Sequence, residues 1–221
     1  MRQFFHLILI KVIPYWLMFK QENQFITLES ASKNIRDSHT TSTALTALRV
    51  ATKSRHTILD SSMPLAKLDA TWADYISHLQ LLAAWLVPLE QWLAKYNDGP
   101  QATEILEPIR YSNLILRDLG DNNSLADFSH ITEASWPKSG DVAYRWGISY
   151  VIEGSQLGGE FLYKRLADRL KPHELCYLQS KQSGRWPRFL HAIAIGVITE
   201  EEITSACKGA VDAFDALLQL Q

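Results

Sequence analysis

Apolar residues recur at intervals of three and four along almost the whole chain, which constrains the fold more than any other feature of the sequence. We find no stretch that alternates apolar and polar residues between two turn signals, as a half-buried strand does. The chain has 221 residues, of which 47% are hydrophobic and 21% charged, and this composition suits one globular domain with a substantial core. The sequence therefore predicts an all-α, single-domain protein.

Capping residues, prolines and glycines set the expected helix boundaries. Thr71 and the segment Thr199-Glu-Glu-Glu-Ile203 are strong helix starts, and a helix through Pro88 is expected to kink there. The predicted helices span about 42–60, 72–96, 102–119 and 141–170, with a short helix after Pro172 and two more that start near Arg185 and Thr199.

Residues 1–41 differ in composition from the rest of the chain. A hydrophobic run at the start is interrupted by Lys11 and Pro14, and residues 20–41 are polar. We expect a dispensable N-terminal extension that is disordered or arises from an upstream start codon, with Met18 as the true start. A weak membrane anchor is the alternative interpretation. The folded domain is assigned to residues 42–221.

Charge and cysteine content exclude several classes of protein. The formal net charge is −2 and there is no basic run, so a nucleic-acid partner is not expected. Cys176 and Cys207 do not form a CxxC pair, which favours a reduced, cytoplasmic protein. There is no Glu-x-x-His pair, HExxH helix, phosphate-binding loop or nucleophile elbow. A monomer is the default expectation.

Three glycines interrupt an otherwise helical segment, Tyr150-Val-Ile-Glu-Gly-Ser-Gln-Leu-Gly-Gly-Glu-Phe-Leu162. Each glycine inside a helix costs roughly 0.5–1 kcal/mol relative to alanine. Gly154 and Gly158 are four residues apart, so they lie on one face at about 6 Å along the axis. A stripe without side chains lets a flat or bulky ligand approach the helix backbone. The alternative is a close helix–helix packing, which is a common use of small residues.

His56 is the candidate metal ligand. It lies on the apolar face of the first predicted helix, together with Leu48, Thr52 and Leu59. A neutral imidazole on such a face is a suitable iron ligand, although a satisfied core histidine is the alternative. Arg49 and Lys53 precede His56 by seven and three residues, so they lie near its side of the helix and are able to reach carboxylates of a bound ligand. The alternative for these two cations is an ordinary solvated face.

Taken together, three motifs resemble those of heme oxygenases, in particular the bacterial branch that occurs beside bacteriophytochromes. The motifs are Ala51-Thr-x3-His56, Arg110-x6-Arg117-Asp-Leu119 and Tyr150-Val-Ile-Glu-Gly-Ser-Gln-Leu-Gly-Gly159. They occur in the order found in the family, and the resemblance covers roughly residues 44–221.

The resemblance implies a role for each matching residue. His56 matches the proximal histidine that binds heme iron, and Gly154, Gly158 and Gly159 match the glycines of the distal helix over the heme. Arg49 and Lys53 match the basic positions that approach the heme propionates, and Arg185 or Arg188 is expected to add a further basic contact. Ser155 departs from the animal pattern, which has an aspartate there. The serine hydroxyl, backbone carbonyls and bound water are expected to hold the proton network instead.

The resemblance also implies an activity: cleavage of heme, which is both substrate and cofactor, to biliverdin with release of iron and carbon monoxide. The reaction consumes oxygen and electrons from an external reductase or ferredoxin, and a bacteriophytochrome is a candidate acceptor of the biliverdin. Two alternatives stay open. One is a heme carrier or sensor that does not degrade heme, and the other is a helical interaction domain in which His56 has no role.

Overall fold

Six α-helices form the framework of the computed structural model, which describes residues 38–120, 136, 140–180 and 182–221. Two short 3-10 turns, Pro64–Ala66 and Gly99–Gln101, accompany them, and the described ranges contain no strand. The helices are α1 Ser38–Ser62, α2 Trp72–Leu93, α3 Tyr111–Leu119, α4 Val142–Leu166, α5 Arg185–Gly196 and α6 Glu200–Leu218. The prediction of an all-α protein is therefore confirmed.

The helix starts that depend on local capping chemistry lie where the sequence predicts them. Thr71 caps α2 and Thr199 caps α6, and each forms a capping box with the acidic residue three positions later. Pro88 lies within α2, as predicted. Helix α1 begins at Ser38, four residues before the predicted start at 42. The rest of the predicted extension, residues 1–37, lies outside the described residues.

Two predicted helix boundaries and one predicted helix were wrong. The helix predicted for 102–119 begins only at Tyr111, because Pro108 disfavours helical backbone in the residue before it and lacks the N–H that a helix interior needs. The helix predicted for 141–170 ends at Leu166. The short helix predicted directly after Pro172 does not form. The chain forms turns there, and Leu175 has a left-handed backbone with φ of 56°, which interrupts any right-handed helix.

Helix α6 is the central packing partner of α1 and α4. Both helices pack extensively on α6 and have little or no direct contact with each other. Two glycines allow the α4–α6 crossing: a Cβ atom on Gly147 would lie 1.8 Å from the carbonyl oxygen of Ala206, and one on Gly209 would lie 2.0 Å from that of Tyr144. Only glycine fits at this crossing, since real Cβ atoms do not approach carbonyl oxygens so closely.

The core continues through α2, most of which is buried. Its Trp85 is almost fully inaccessible, and the indole N–H of this residue donates to the carbonyl of Ala213 on α6 at 3.0 Å. Within the described ranges, every helix is too short or too polar to cross a membrane. The core thus fixes α6, and through it the separation between α1 and α4.

Candidate functional site

His56 lies at the edge between the buried and exposed faces of α1. Its neighbours on the inner side, Leu48, Thr52 and Leu59, are buried, as their shared face predicts. The His56 side chain is 23% exposed, so the ring is neither inside the core nor fully in solvent. A histidine at such a boundary is accessible to a ligand that enters beside the helix.

Phe214 of α6 and Asp60 of α1 contact the imidazole, and an ion pair beside it joins the two helices. The ring of Phe214 lies 5.9 Å from that of His56, centroid to centroid. Next to it in sequence, Asp215 accepts hydrogen bonds from Arg55 Nε at 2.5 Å and from the second guanidinium nitrogen at 2.9 Å. Nδ1 of His56 lies 3.1 Å from Oδ2 of Asp60, one turn further along α1. A carboxylate at Nδ1 fixes the ring and selects the tautomer in which Nε2 carries the lone pair that binds a metal.

The three glycines of α4 do not serve a close helix crossing within the chain. A Cβ atom on Gly158 would meet no atom within 4 Å, so this position opens onto empty space. A Cβ atom on Gly154 would lie 3.6 Å from the ring of Trp186, and one on Gly159 would lie 3.8 Å from Leu178, which are ordinary contact distances. The tight crossing uses Gly147 and Gly209, two glycines that sequence reasoning did not single out. Gly158 is therefore the position of this stripe that opens onto free space, whereas Gly154 lies beside Trp186 and the buried Gly159 lies beside Leu178.

A buried polar cluster adjoins the stripe; we define it as the distal cluster, formed by Ser155, Gln156, Tyr177 and Ser180. Gln156 Nε2 donates to Ser155 Oγ at 3.1 Å and to the Tyr177 hydroxyl at 3.4 Å, and Ser180 Oγ donates to Gln156 Oε1 at 2.5 Å. Ser155 Oγ donates to the carbonyl of Ile152 at 2.7 Å. In this rotamer the serine hydroxyl bonds to its own helix.

The candidate cations differ in their surroundings. Arg49 is half-buried and Lys53 is exposed, both on the His56 side of α1. Arg185 instead forms a bidentate ion pair with Glu153, both distances being 2.7 Å, and donates to the carbonyl of Glu107 at 2.7 Å. Both side chains of this pair are only 11% exposed. Arg188 is exposed and donates to the carbonyl of Ile105 at 3.3 Å. The geometry thus gives Arg185 a partner inside the protein and leaves Arg188 at the surface.

Several residues of this region were missed from sequence alone. Asp60 carries a detectable signal, since a residue four positions after a helical histidine lies on the same face. Glu153 precedes Gly154 directly but its partner Arg185 is distant in sequence. Tyr177 reaches the distal cluster from a turn that was predicted to be helical. Within the described ranges, no three His, Cys, Asp or Glu residues cluster closely enough to hold a metal ion.

The described residues thus form an all-helical protein in which a partly exposed histidine lies on α1 and an open glycine position lies on α4. The sequence profile of the heme oxygenase family matches residues 42–220, and the chain belongs to this family. A heme oxygenase of Xanthomonas campestris pv. campestris (strain 8004) is 33% identical over 117 residues, which cover 51% of this chain and 64% of the relative. The chain thus matches somewhat less than two thirds of that relative's length. No solved structure matches the chain.

Proposed function

We propose that this protein is a heme oxygenase that cleaves heme to biliverdin and releases iron and carbon monoxide. One structural contrast carries the proposal: Gly158 of α4 faces open space, whereas the helix crossing in the same helix uses Gly147. Membership of the heme oxygenase family supports the same conclusion. Two residues support heme as the ligand. Gly158 of α4 opens onto free space, and His56 of α1 lies at the edge of the core with its Nδ1 beside Asp60. The two helices have little contact with each other.

The proposed role of the chain is to bind and orient heme, which supplies both the iron and the ring that is cleaved. His56 would hold the heme iron through Nε2, and a neutral imidazole would give the iron less electron density than a thiolate does. The backbone at Gly154, Gly158 and Gly159 would pack against bound heme and limit the space available to oxygen. Such positioning selects the ring carbon that is attacked.

The in-plane orientation of heme follows from its two carboxylates. We assign these to Arg49 and Lys53 on α1, since guanidinium and ammonium groups bind carboxylates through charge-assisted hydrogen bonds. Arg188 is the preferred further contact, because Arg185 is already paired with Glu153. These contacts would set the in-plane rotation of heme, and that rotation would determine which meso carbon is attacked.

The proposed partners follow from the reaction and from the family. Electrons come from an external reductase or ferredoxin, and a bacteriophytochrome is the proposed recipient of biliverdin. We further propose a monomer in the cytoplasm, and the two cysteines, both free thiols, are in accord with a reducing compartment.

The decisive experiment adds hemin to the purified protein and then supplies ascorbate or a ferredoxin system with oxygen. Catalase is included, because peroxide formed in solution degrades heme without help from the protein. A histidine-type Soret band followed by green biliverdin is the expected result. Absence of a Soret shift contradicts heme binding and favours the helical interaction domain.

A heme carrier or sensor on the same fold is the second candidate function. The orientation of Ser155 favours it, because the hydroxyl donates to Ile152 within its own helix at 2.7 Å. A Soret shift without biliverdin in the coupled assay supports the carrier and contradicts the enzyme.

A further inference from the structure

A surface cavity of about 400 Å³ lies between two segments that are distant in sequence. The first segment, residues 69–72, leads into α2, and the second, residues 169–173, follows α4. Gly158 lies eight residues before the end of α4 at Leu166, which is about 12 Å along the helix axis. The cavity is therefore separate from the glycine stripe, and its size suits a small molecule.

Contacts between the two segments hold the walls of the cavity in place. The guanidinium of Arg169 donates to the carbonyl of Leu68 at 2.7 Å. The imidazole of His173 lies flat on the indole of Trp72, with the ring centroids 3.5 Å apart and an angle of 7° between the rings. Each contact joins one segment to the other, so the cavity is formed before a ligand binds.

The lining of the cavity combines an apolar floor with a basic rim. Ala70 and Leu170 are buried and form the floor. The charged residues of the lining are Arg169, Lys171 and Asp69, so two cations face one carboxylate. A ligand that carries both an anionic group and an apolar group matches this combination.

The two cations are available to a ligand. A guanidinium has five N–H groups, and Arg169 has no carboxylate partner within the described ranges. Lys171 pairs with Asp168 at 2.7 Å, but these side chains are 73% and 94% exposed. Such an exposed ion pair contributes little, so the ammonium group is able to exchange Asp168 for a ligand at small cost.

A neighbouring arginine indicates that positive charge exceeds negative charge at this place. Burial, with a contribution from the charge of Arg169, lowers the pKa of Arg165. The two guanidinium groups are one helical turn apart, and Arg165 also donates to a backbone carbonyl, that of Leu65. An anion near Arg169 would reduce this repulsion between like charges.

We propose that this cavity is a binding site for a small organic anion whose carboxylate or phosphate group contacts Arg169 and Lys171. Guanidinium and ammonium groups bind both oxyanions through charge-assisted hydrogen bonds. The apolar part of the ligand lies over Ala70 and Leu170. The site goes beyond the proposed function and does not depend on heme.

NMR titration of the ¹⁵N-labelled full chain tests the proposal with three probes that share one ring. Benzoate and phenyl phosphate carry the two oxyanions, and benzyl alcohol is their neutral analogue. We expect saturable shifts of the amide signals of residues 69–72 and 169–173 with an anion and none with benzyl alcohol. The anion that binds more tightly identifies the source of the oxyanion. Absence of saturable shifts with both anions, or equal shifts with benzyl alcohol, would overturn the proposal.

Charge variants then test the rim of the cavity, with affinities for the tighter anion measured by calorimetry. Arg169→Gln should bind the anion about 3- to 10-fold more weakly, because it removes a charged donor at a partly screened site. Arg169→Lys keeps the charge and should bind more tightly than Arg169→Gln. Asp69→Asn removes the carboxylate of the lining and should bind about 2-fold more tightly than the wild type.

Lys95→Gln is the control, because it removes an exposed cation just beyond the opposite end of α2 and should leave the affinity unchanged. Wild-type affinity in Arg169→Gln, or weaker binding by Asp69→Asn, would contradict the proposal. If Arg169→Gln does not fold, Lys171→Gln at an exposed position takes its place and should also weaken binding. Hemin should not displace the anion, and displacement by hemin would overturn the assignment of a separate site.

Discussion

His56 and Asp60 form a pair on one face of α1, with Nδ1 of the imidazole 3.1 Å from Oδ2 of the carboxylate. Both side chains are partly exposed, at 23% and 30%, so the pair lies at the boundary of the core. A carboxylate at this nitrogen orients a metal-binding imidazole. The His56–Asp60 pair therefore has the arrangement expected of a histidine that binds iron.

The first prediction concerns this unit. His56→Ala should abolish the histidine-type Soret spectrum of the hemin complex, because the iron loses its protein ligand. Absorption spectroscopy of hemin titrations measures the effect, and an unchanged spectrum would show that another residue binds iron. His173→Ala is the matched control: it removes an exposed imidazole that stacks on Trp72, and should preserve the spectrum.

Gly158 and Gly147 should respond in opposite ways to substitution. Gly158→Leu places its side chain in open space, so the thermal midpoint of the ligand-free protein should barely change while hemin binding is blocked. Gly147→Ala forces a methyl group against the backbone of α6. It should lower the stability by about 1–3 kcal/mol or more, which is about 3–10 °C in a domain of this size.

Calorimetry and hemin titration of both glycine variants check this contrast. Full hemin binding by Gly158→Leu would show that the open space is not the heme site. Gly159→Leu is a less discriminating choice, because Leu178 lies 3.8 Å from the position of its Cβ atom and would be displaced.

The two cations of α1 are expected to matter for heme orientation. Arg49→Glu and Lys53→Glu should weaken hemin binding or alter the ratio of biliverdin isomers, since each replaces an attraction for the propionates by a repulsion. Chromatography of the products and hemin titration measure the two effects. Lys95→Glu makes the same charge change at an exposed position just beyond α2 and is the control. Equal behaviour of all three variants would remove the proposed role of Arg49 and Lys53.

Arg185 is expected to act on stability more than on heme. Arg185→Ala leaves the mostly buried Glu153 carboxylate without its cationic partner, although the Tyr111 hydroxyl still donates to it at 3.1 Å. Removing one partner of a buried ion pair costs roughly 3–5 kcal/mol. The thermal midpoint should therefore fall by about 10 °C or more. Arg188→Ala, at an exposed position, should change the midpoint little and weaken hemin binding. If instead Arg185→Ala is stable and binds hemin poorly, Arg185 is the propionate contact.

The buried His78 should make stability depend on pH. It is 6% exposed, and burial lowers the pKa of this histidine to about 4. Because the folded-state pKa lies below the unfolded value of about 6.5, its contribution is complete above pH 6.5 and is lost as the pH falls toward 4. The slope approaches about 1.4 kcal/mol per pH unit in that window. Urea unfolding of wild type and His78→Leu measures it, and parallel pH profiles would contradict the prediction.

The sequence predicts well the features that depend on residues close together in the chain. The starts of α2 and α6 depend on Thr71 and Thr199 and on an acidic residue three positions later, so they are visible in a few consecutive letters. The periodicity that places Leu48, Thr52 and Leu59 on one buried face is equally local. Family membership was recognised from motifs of the same short range, and the family profile confirms it.

What the sequence did not predict depends on contacts between distant segments. Tyr177 reaches Gln156 because Asp118, some sixty residues earlier, holds the backbone of its turn. Gly147 and Gly209 carry no signal in the sequence. The structure shows that they lie where α4 crosses α6, and that a side chain at either position would collide with the backbone of the other helix. The ion pair of Arg185 and Glu153 likewise joins residues on different helices, so the sequence alone does not show it. The site residues themselves stay a prediction that the variants above address.

Because α1 and α4 pack mainly on α6 and have little or no direct contact with each other, their relative position depends on how each of them packs on α6. Substitutions in α6 that contact neither His56 nor the glycines of α4 would therefore change the distance between α1 and α4 that is available to a porphyrin. Directed evolution toward bulkier tetrapyrroles should start from α6 and leave the ligand-facing residues in place.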